Sequence, residues 1–150
     1  MKGLPIGSHE ITHIGLIVRD IGKSAAEYAR VFGIKVPPIG ETSGRDKTGM
    51  LYRGKPSDAR AKLCHIPMGH IQTELIQPLG APSVWKEFLD GSGEGFHHIA
   101  VVVADSEAEA AALEEAGFPV VQKGDFGTGR YVYVDTRARL GVNLELIQVY

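Results

Sequence analysis

The sequence predicts an α+β fold made of two tandem copies of one βαβββ module. Three observations predict it. The tetrapeptide Glu-Leu-Ile-Gln occurs twice, at 74–77 and at 145–148. A second frame, His-Ile-x-x-x-Val-x-Asp, also occurs twice, as HIGLIVRD from His13 to Asp20 and as HIAVVVAD from His98 to Asp105. Between these two motifs, the elements of each half follow in the same order. Repetition on this scale signals two supersecondary units, each needing the other to bury its apolar face.

Both HIxxxVxD segments are β-branched, apolar runs and read as buried strands. Each Asp opens a helical stretch rich in Ala and Glu, IGKSAAEYARVFG after Asp20 and SEAEAAALEEAG after Asp105. Gly33 and Gly117 stand where a helix C-cap is expected. Short β-type segments come next, IKVPP after Gly33 and FPVVQK after Gly117. A third strand, ARAKLCHIPMG in the first half and YVYVD in the second, leads to the closing strands IQTELIQP and VNLELIQV. The halves differ mainly in the segment 41–61, ETSGRDKTGMLYRGKPSDARA, which the second half lacks. Its cations, with Lys62, suit either a cleft mouth that meets an anionic substrate or a solvated surface loop. Between the modules, 83–90 reads as a short helix with Trp85, Phe88 and Leu89 along one side, followed by a Gly-rich, flexible link. The expected division of the single domain 1–150 is module one 10–78, linker 79–95 and module two 96–150.

Composition excludes several classes. A net charge of −2 leaves no large basic surface, so no nucleic-acid partner is expected. No apolar run reaches the ~18 residues a membrane helix needs, and MKGLPIGSHE lacks the apolar core of a signal peptide. Cys64 is the single cysteine, so no internal disulfide can form, and a reducing, cytoplasmic setting is expected. The Gly-rich turn DFGTGR, 125–130, lacks the strand-loop-helix context of a phosphate-binding loop.

The repeat also carries chemistry. Each half places one His on its first strand and one Glu on its last, inside apolar runs. A lone ionisable residue in a buried strand is costly unless paired or ligated. If the modules pack with pseudo-twofold symmetry, His13, Glu74, His98 and Glu145 converge in one cleft. Two imidazoles and two carboxylates make a mixed N/O site for one divalent metal ion, with Co, Ni, Zn, Mn and Fe(II) all open. His97 is expected to face the other way on its strand.

HIGLIVRD, TELIQP, HHIAVVV and LELIQ together resemble the vicinal oxygen chelate superfamily, which includes glyoxalase I, methylmalonyl-CoA epimerase, extradiol dioxygenases and bleomycin-resistance proteins. The resemblance runs from Glu10 to Tyr150. It implies paired βαβββ modules in a curved eight-stranded sheet around a metal, with His13, Glu74, His98 and Glu145 as ligands. ELIQPLGAPSVWKEFLDGSGEGFHHIAVVV is most similar to the epimerases of that superfamily. That implies a metal-dependent enzyme moving the alpha proton of methylmalonyl-CoA or a similar acyl thioester, with Glu145 and Glu74 as the catalytic carboxylates. Lys62, His65 and Arg130 are the candidate substrate-binding residues. One departure stands out: epimerases of this type can carry an acid/base Glu on the third strand of the first module, and ARAKLCHIPMG has none. Either His65 substitutes, or Glu74 serves, or the reaction differs. The alternative is a glyoxalase-I-like lyase acting on a glutathione adduct, or a non-catalytic small-molecule-binding member. An extradiol dioxygenase fits less well, because Glu74 would fill a position its iron site keeps open. The resemblance also implies a homodimer.

Overall fold

The computed structural model describes residues 6–150. Residues 1–5, where the stretch expected to lack a signal-peptide core begins, lie outside them. The first half runs β1 (Ile11–Ile17), α1 (Ile21–Phe32), β2 (Ile39–Glu41), α2 (Arg45–Thr48), β3 (Leu51–Tyr52), β4 (Lys55–Pro56), β5 (Arg60–Met68) and β6 (Ile71–Leu79). After α3 (Val84–Ser92) the second half runs β7 (Gly95–Val102), α4 (Ser106–Glu115), β8 (Val120–Asp125), β9 (Gly129–Val134), α5 (Arg137–Leu140) and β10 (Asn143–Val149). Among the described residues no helix is long and apolar enough to cross a membrane.

The strands form one curled mixed sheet in the order β2-β5-β6-β1-β7-β10-β9-β8-β3-β4. Its centre obeys the repeat. β1 pairs parallel with β6 and β7 pairs parallel with β10, while β1 and β7 meet antiparallel at the pseudo-twofold axis. The sheet has ten strands rather than eight because the segment 41–61 contributes the β3–β4 hairpin. Its two-residue turn, Arg53-Gly54, has positive φ at both positions (49° and 79°), which a tight primed turn requires.

The repeated letters have local structural reasons. Asp20 and Asp105 are N-caps, accepting hydrogen bonds from the backbone N–H of Lys23 and Ala108, and each such cap is worth about 1 kcal/mol. The Gln of each Glu-Leu-Ile-Gln motif caps the same helix from the sheet. Gln77 Oε1 accepts from Ile21 N, and Gln148 Oε1 accepts from Ser106 N, both at 3.0 Å. Strand alternation then sorts the faces. Outward residues Leu16 and Leu75 pack with Ile21 and Ala25 of α1, and Val101, Val132 and Leu146 pack with Ala110 and Leu113 of α4. Inward residues Ile17, Ile76 and Tyr133 pack with Trp85 of α3 and Met50.

Helix α4 ends at Glu115, with Ala116 as C-cap and Gly117 (φ 94°) next, where Gly117 N–H donates to Glu114 O and Phe118 N–H to Leu113 O, the expected glycine stop. Two expectations need correction. The strand expected at IKVPP begins only at Ile39, since Pro37 and Pro38 have no N–H to give a ladder. The Gly-rich end of the linker is not a free link. Gly91 lies within α3, Gly95 opens β7, and Glu94 accepts a 2.8 Å hydrogen bond from Arg19 N.

Candidate metal centre

The four central strands each carry one member of the predicted quartet. The register places them in two rows across the sheet. Glu74, Gly15 and His98 are neighbours in one row, and His13, Ala100 and Glu145 in the other. A small residue therefore stands between the two ionisable groups of each row. His13 Nε2 lies 2.9 Å from Glu145 Oε2 and 3.1 Å from His98 Nε2, and His98 Nε2 lies 3.0 Å from Glu145 Oε2. Glu74 Oε1 lies 3.7 and 3.8 Å from the same two nitrogens. All four residues are buried, and one donor atom from each lies within 4.8 Å of the others.

This donor set fits a divalent transition ion. Bonds of ~2.0–2.2 Å to nitrogen and oxygen in a tetrahedral site separate neighbouring donors by roughly 3.3–3.6 Å. The contacts here, 2.9–3.8 Å, bracket that spacing.

The electrostatics fit as well. Burial alone would push the Glu145 carboxyl up, but the imidazoles of His98 and His13 outweigh it and hold it well below the usual carboxylate range. Burial pulls His13 down, yet the Glu145 hydrogen bond and the fields of Glu145 and Glu74 prevail and raise it above its usual 6.5. A metal needs that imidazole deprotonated. Zinc uptake is therefore expected to release protons, with affinity climbing as pH rises through 6.5 and levelling off only above the raised His13 value. Calorimetric titration in two buffers of different protonation enthalpy counts those protons, and a count of zero near pH 6.5 would contradict the assignment.

His13, Glu74 and Glu145 form the floor of a cavity of about 590 Å³, and His98 lies fully buried behind them. Tyr131, Tyr133, Trp85, Leu63, Met50 and Phe126 supply apolar wall, and Gln72, Thr42, Ser43 and Lys47 supply polar wall. His65 lines it too, its Nε2 2.7 Å from Glu74 Oε2. That hydrogen bond, against the opposing effect of burial, raises the His65 pKa. Glu74 thus divides its oxygens, Oε1 toward the two histidines and Oε2 toward His65.

Lys62 and Arg130 do not line this cavity. Alternation is the reason: on β5 the inward positions are Ala61, Leu63 and His65, and on β9 they are Tyr131 and Tyr133. Arg130 instead reaches Glu107 and Tyr150 on the outside. The segment 41–61 is neither a solvated loop nor a ring of cations at a mouth. It leaves the β2 edge, roofs the cavity and pairs with β8 at the far edge of the sheet. Its arginines are engaged, Arg45 with Asp58, Arg53 with Glu87 and Arg60 with Glu41. Lys47 is the cation of this segment that meets the cavity.

Two residues at the centre were missed by sequence reasoning. The first is Gly15. A Cβ placed there would lie 1.9 Å from His98 Cε1, so the His98 ring lies directly on the β1 backbone. The second is His97, which does not face away. Between Gly15 and Leu16 the ladder shifts, so that His97 is an extra residue on β7. Such a bulge lets consecutive side chains point to one face. His97 is buried with its Nδ1 2.9 Å from His98 Nδ1, and burial pushes its pKa down to about 3, so it is neutral.

A family model described as the Glyoxalase/Bleomycin resistance protein/Dioxygenase superfamily matches residues 12–134. The uncharacterized protein YqjC of Bacillus subtilis (strain 168) is 24% identical over 144 residues, covering 93% of this chain and 92% of that one. Among solved structures, a methylmalonyl-CoA epimerase in complex with methylmalonyl-CoA and NH4+ superposes with a TM-score of 0.64 at 25% identity, covering 93% of each chain. A variant of the Streptomyces coelicolor methylmalonyl-CoA epimerase, in complex with 2-nitronate-propionyl-CoA, gives a TM-score of 0.65 at 25% identity, covering 93% of this chain and 94% of that one.

Proposed function

We propose that this chain, which belongs to the glyoxalase/bleomycin resistance/dioxygenase superfamily, is a metal-dependent epimerase. It moves the proton alpha to the carbonyl of an acyl thioester, methylmalonyl-CoA or a similar 2-substituted acyl-CoA. The observation that carries this reading is the buried His13, Glu74, His98 and Glu145 cluster, open to a cavity on one side. Two structural neighbours named as epimerases, one holding methylmalonyl-CoA, support the substrate class. A divalent ion held by these four residues supplies, when bound, positive charge to oxygens that become negative as the proton leaves.

The chain's own residues handle the proton. A 1,1-proton transfer needs a base on one face of the carbon and an acid on the other. Glu74 on β6 and Glu145 on β10 flank the β1–β7 pair, so the two carboxylates approach from opposite sides. β5 presents Ala61, Leu63 and His65 inward and no carboxylate, and the two other carboxylates that line the cavity, Glu41 and Asp125, are paired with Arg60 and Arg130; both roles are therefore assigned to the ligand carboxylates. Glu145 removes the alpha proton, Glu74 delivers to the other face a proton taken from His65 Nε2, and the half-exposed His65 is resupplied from solvent as Glu145 gives its proton up. His65 holds Glu74 Oε2 and keeps Oε1 turned to the site. The aromatic roof and walls limit water around the reacting carbon, and Lys47 meets the anionic part of the substrate.

The missing β5 carboxylate also favours a second reading, a glyoxalase-I-like lyase that uses the same two carboxylates on a glutathione hemithioacetal. Proton exchange separates them. Metal-loaded protein mixed with methylmalonyl-CoA in deuterated water is expected to erase the alpha-proton NMR signal, and metal-free protein to leave it. With metal bound and no exchange above the control, the methylmalonyl-CoA assignment falls and turnover of the hemithioacetal is measured next. A homodimer belongs to the same proposal. The exposed Val31, Phe32, Val36 and Ile39, between the end of α1 and β2, offer it a surface. So does a reducing, cytoplasmic setting, in keeping with Cys64, which is buried and free.

A further inference from the structure

We propose that His97 is a positioning residue that fixes the proton and the ring of His98, so that only one of the two ligand histidines is backed by a second imidazole. The inference rests on the metal-centre reading above.

Two nitrogens 2.9 Å apart, His97 Nδ1 and His98 Nδ1, can share only one proton. His98 turns its Nε2 to the site, 3.0 Å from Glu145 Oε2 and 3.1 Å from His13 Nε2. An imidazole that ligates through one nitrogen carries its proton on the other. His98 Nδ1–H is therefore the donor and His97 Nδ1 the acceptor. Acceptance there places the His97 proton on Nε2. The His97 ring has little freedom to turn away. It is 2% exposed and meets Phe88 and Tyr133 edge-on, with centroids 5.1 and 5.5 Å away.

The repeat shows that this arrangement is not a by-product of the fold. The same bulge occurs in β1, where the ladder shifts between Ile11 and His13. The extra residue there is Thr12, and its hydroxyl donates to Ala100 O at 3.3 Å, away from His13. The backbone device is thus used twice, but an imidazole occupies it once. The choice of acceptor matters. A carboxylate behind a ligand histidine raises its basicity and its electron donation. A neutral imidazole accepts the same proton more weakly. It fixes His98 in orientation while leaving more positive charge on the bound ion for the substrate.

Zinc(II), a diamagnetic ion, is the probe, and the full chain is used throughout. Long-range proton–nitrogen NMR of the zinc-loaded wild type is expected to show His98 protonated on Nδ1 and His97 on Nε2. His97→Leu removes the acceptor, whereas His97→Asn leaves an amide oxygen near the place of Nδ1. Competition titrations are expected to show zinc affinity about 10–100-fold weaker in His97→Leu and within about threefold of wild type in His97→Asn, as for other partners of ligand histidines. Thermal melts establish that each variant is folded. If His97→Leu does not fold, the wild-type tautomer pattern and His97→Asn decide. His97 carrying its proton on Nδ1 in zinc-loaded protein would overturn the inference, as would folded His97→Leu that holds zinc as tightly as wild type. A wild type that takes up no zinc overturns the metal centre itself, and this inference with it.

Discussion

Replacing Gly15 by alanine is expected to abolish high-affinity metal binding while the sheet still forms. Gly15 sits between Glu74 and His98 in one row of the sheet. A Cβ at this position would lie 1.9, 2.3 and 2.4 Å from His98 Cε1, Nδ1 and Nε2. Those are less than ordinary contact distances, and the ring cannot slide sideways without losing His97 on one side and Glu145 on the other. The backbone of β1 is itself extended and can carry alanine without strain, so the cost falls on the ring. Overpacking of this kind costs about 1–3 kcal/mol, which lowers the melting temperature by several degrees in a chain of this size. Displacing one ligand of four is expected to weaken zinc by about 100-fold or more, at or beyond the upper end of what misoriented ligands cost. The control is Ala100→Gly, the small residue of the other row. It should cost ~0.5–1 kcal/mol of backbone entropy and leave zinc affinity nearly unchanged. Zinc titration and thermal melts of both variants check the contrast. Gly15→Ala with wild-type affinity would show that the His98 ring is not seated where its contacts place it.

What the sequence made legible follows from symmetry. His13, Glu74, His98 and Glu145 stood out because a repeat doubles every signal, and a doubled ionisable residue in a buried strand has few explanations. The helices were legible for the same reason, since Asp20 and Asp105 mark their starts twice. The Gln of the repeated tetrapeptide was visible but not interpretable, because its partner is a helix start more than 40 residues earlier in the chain. The rest was hidden wherever the repeat breaks. The segment 41–61 has no counterpart in the second half, and its pairing with β8 joins residues some 70 apart, a non-local choice that local propensity does not encode. His97 was misplaced because alternation assumes an unbroken ladder, and a single inserted residue reverses the facing of everything on one side of it. A repeated bulge leaves no mark in composition or periodicity. Lys62 and Arg130 lie outside the cavity for the opposite reason: there the ladder is regular, and alternation turns both away from it. Gly15 stands in plain view within its strand, yet nothing in a single sequence says that a ring from the next module lies on it.

Glu145→Gln is expected to separate holding the metal from moving the proton. The substitution keeps the side chain's shape and one acceptor oxygen between His13 and His98, and removes the charge. Loss of a positioned general base slows proton transfer by about 10²–10⁴-fold, so alpha-proton exchange should fall by that factor even at saturating metal. Zinc should still bind, more weakly, because the two histidines, Glu74 and the amide oxygen remain. The pH dependence of the metal-free protein provides an independent check. The Glu145 carboxyl is held below its usual 4.5, so it contributes stability that is present above that value and lost as pH falls through the lowered one. His13 is raised above 6.5, so its contribution is full below 6.5 and lost as pH rises through the raised value. Both run through Glu145, which His98 and His13 hold down and which in turn lifts His13. Glu145→Gln removes the first outright and, by taking away the partner that lifts His13, most of the second. Denaturant melts across pH should therefore show a wild-type maximum in the window between 4.5 and 6.5 that flattens in the variant. A variant that exchanges the alpha proton at the wild-type rate with metal bound would transfer the base role from Glu145 to Glu74. The flattened profile would then remain as the mark of a residue whose work is to gather the two imidazoles.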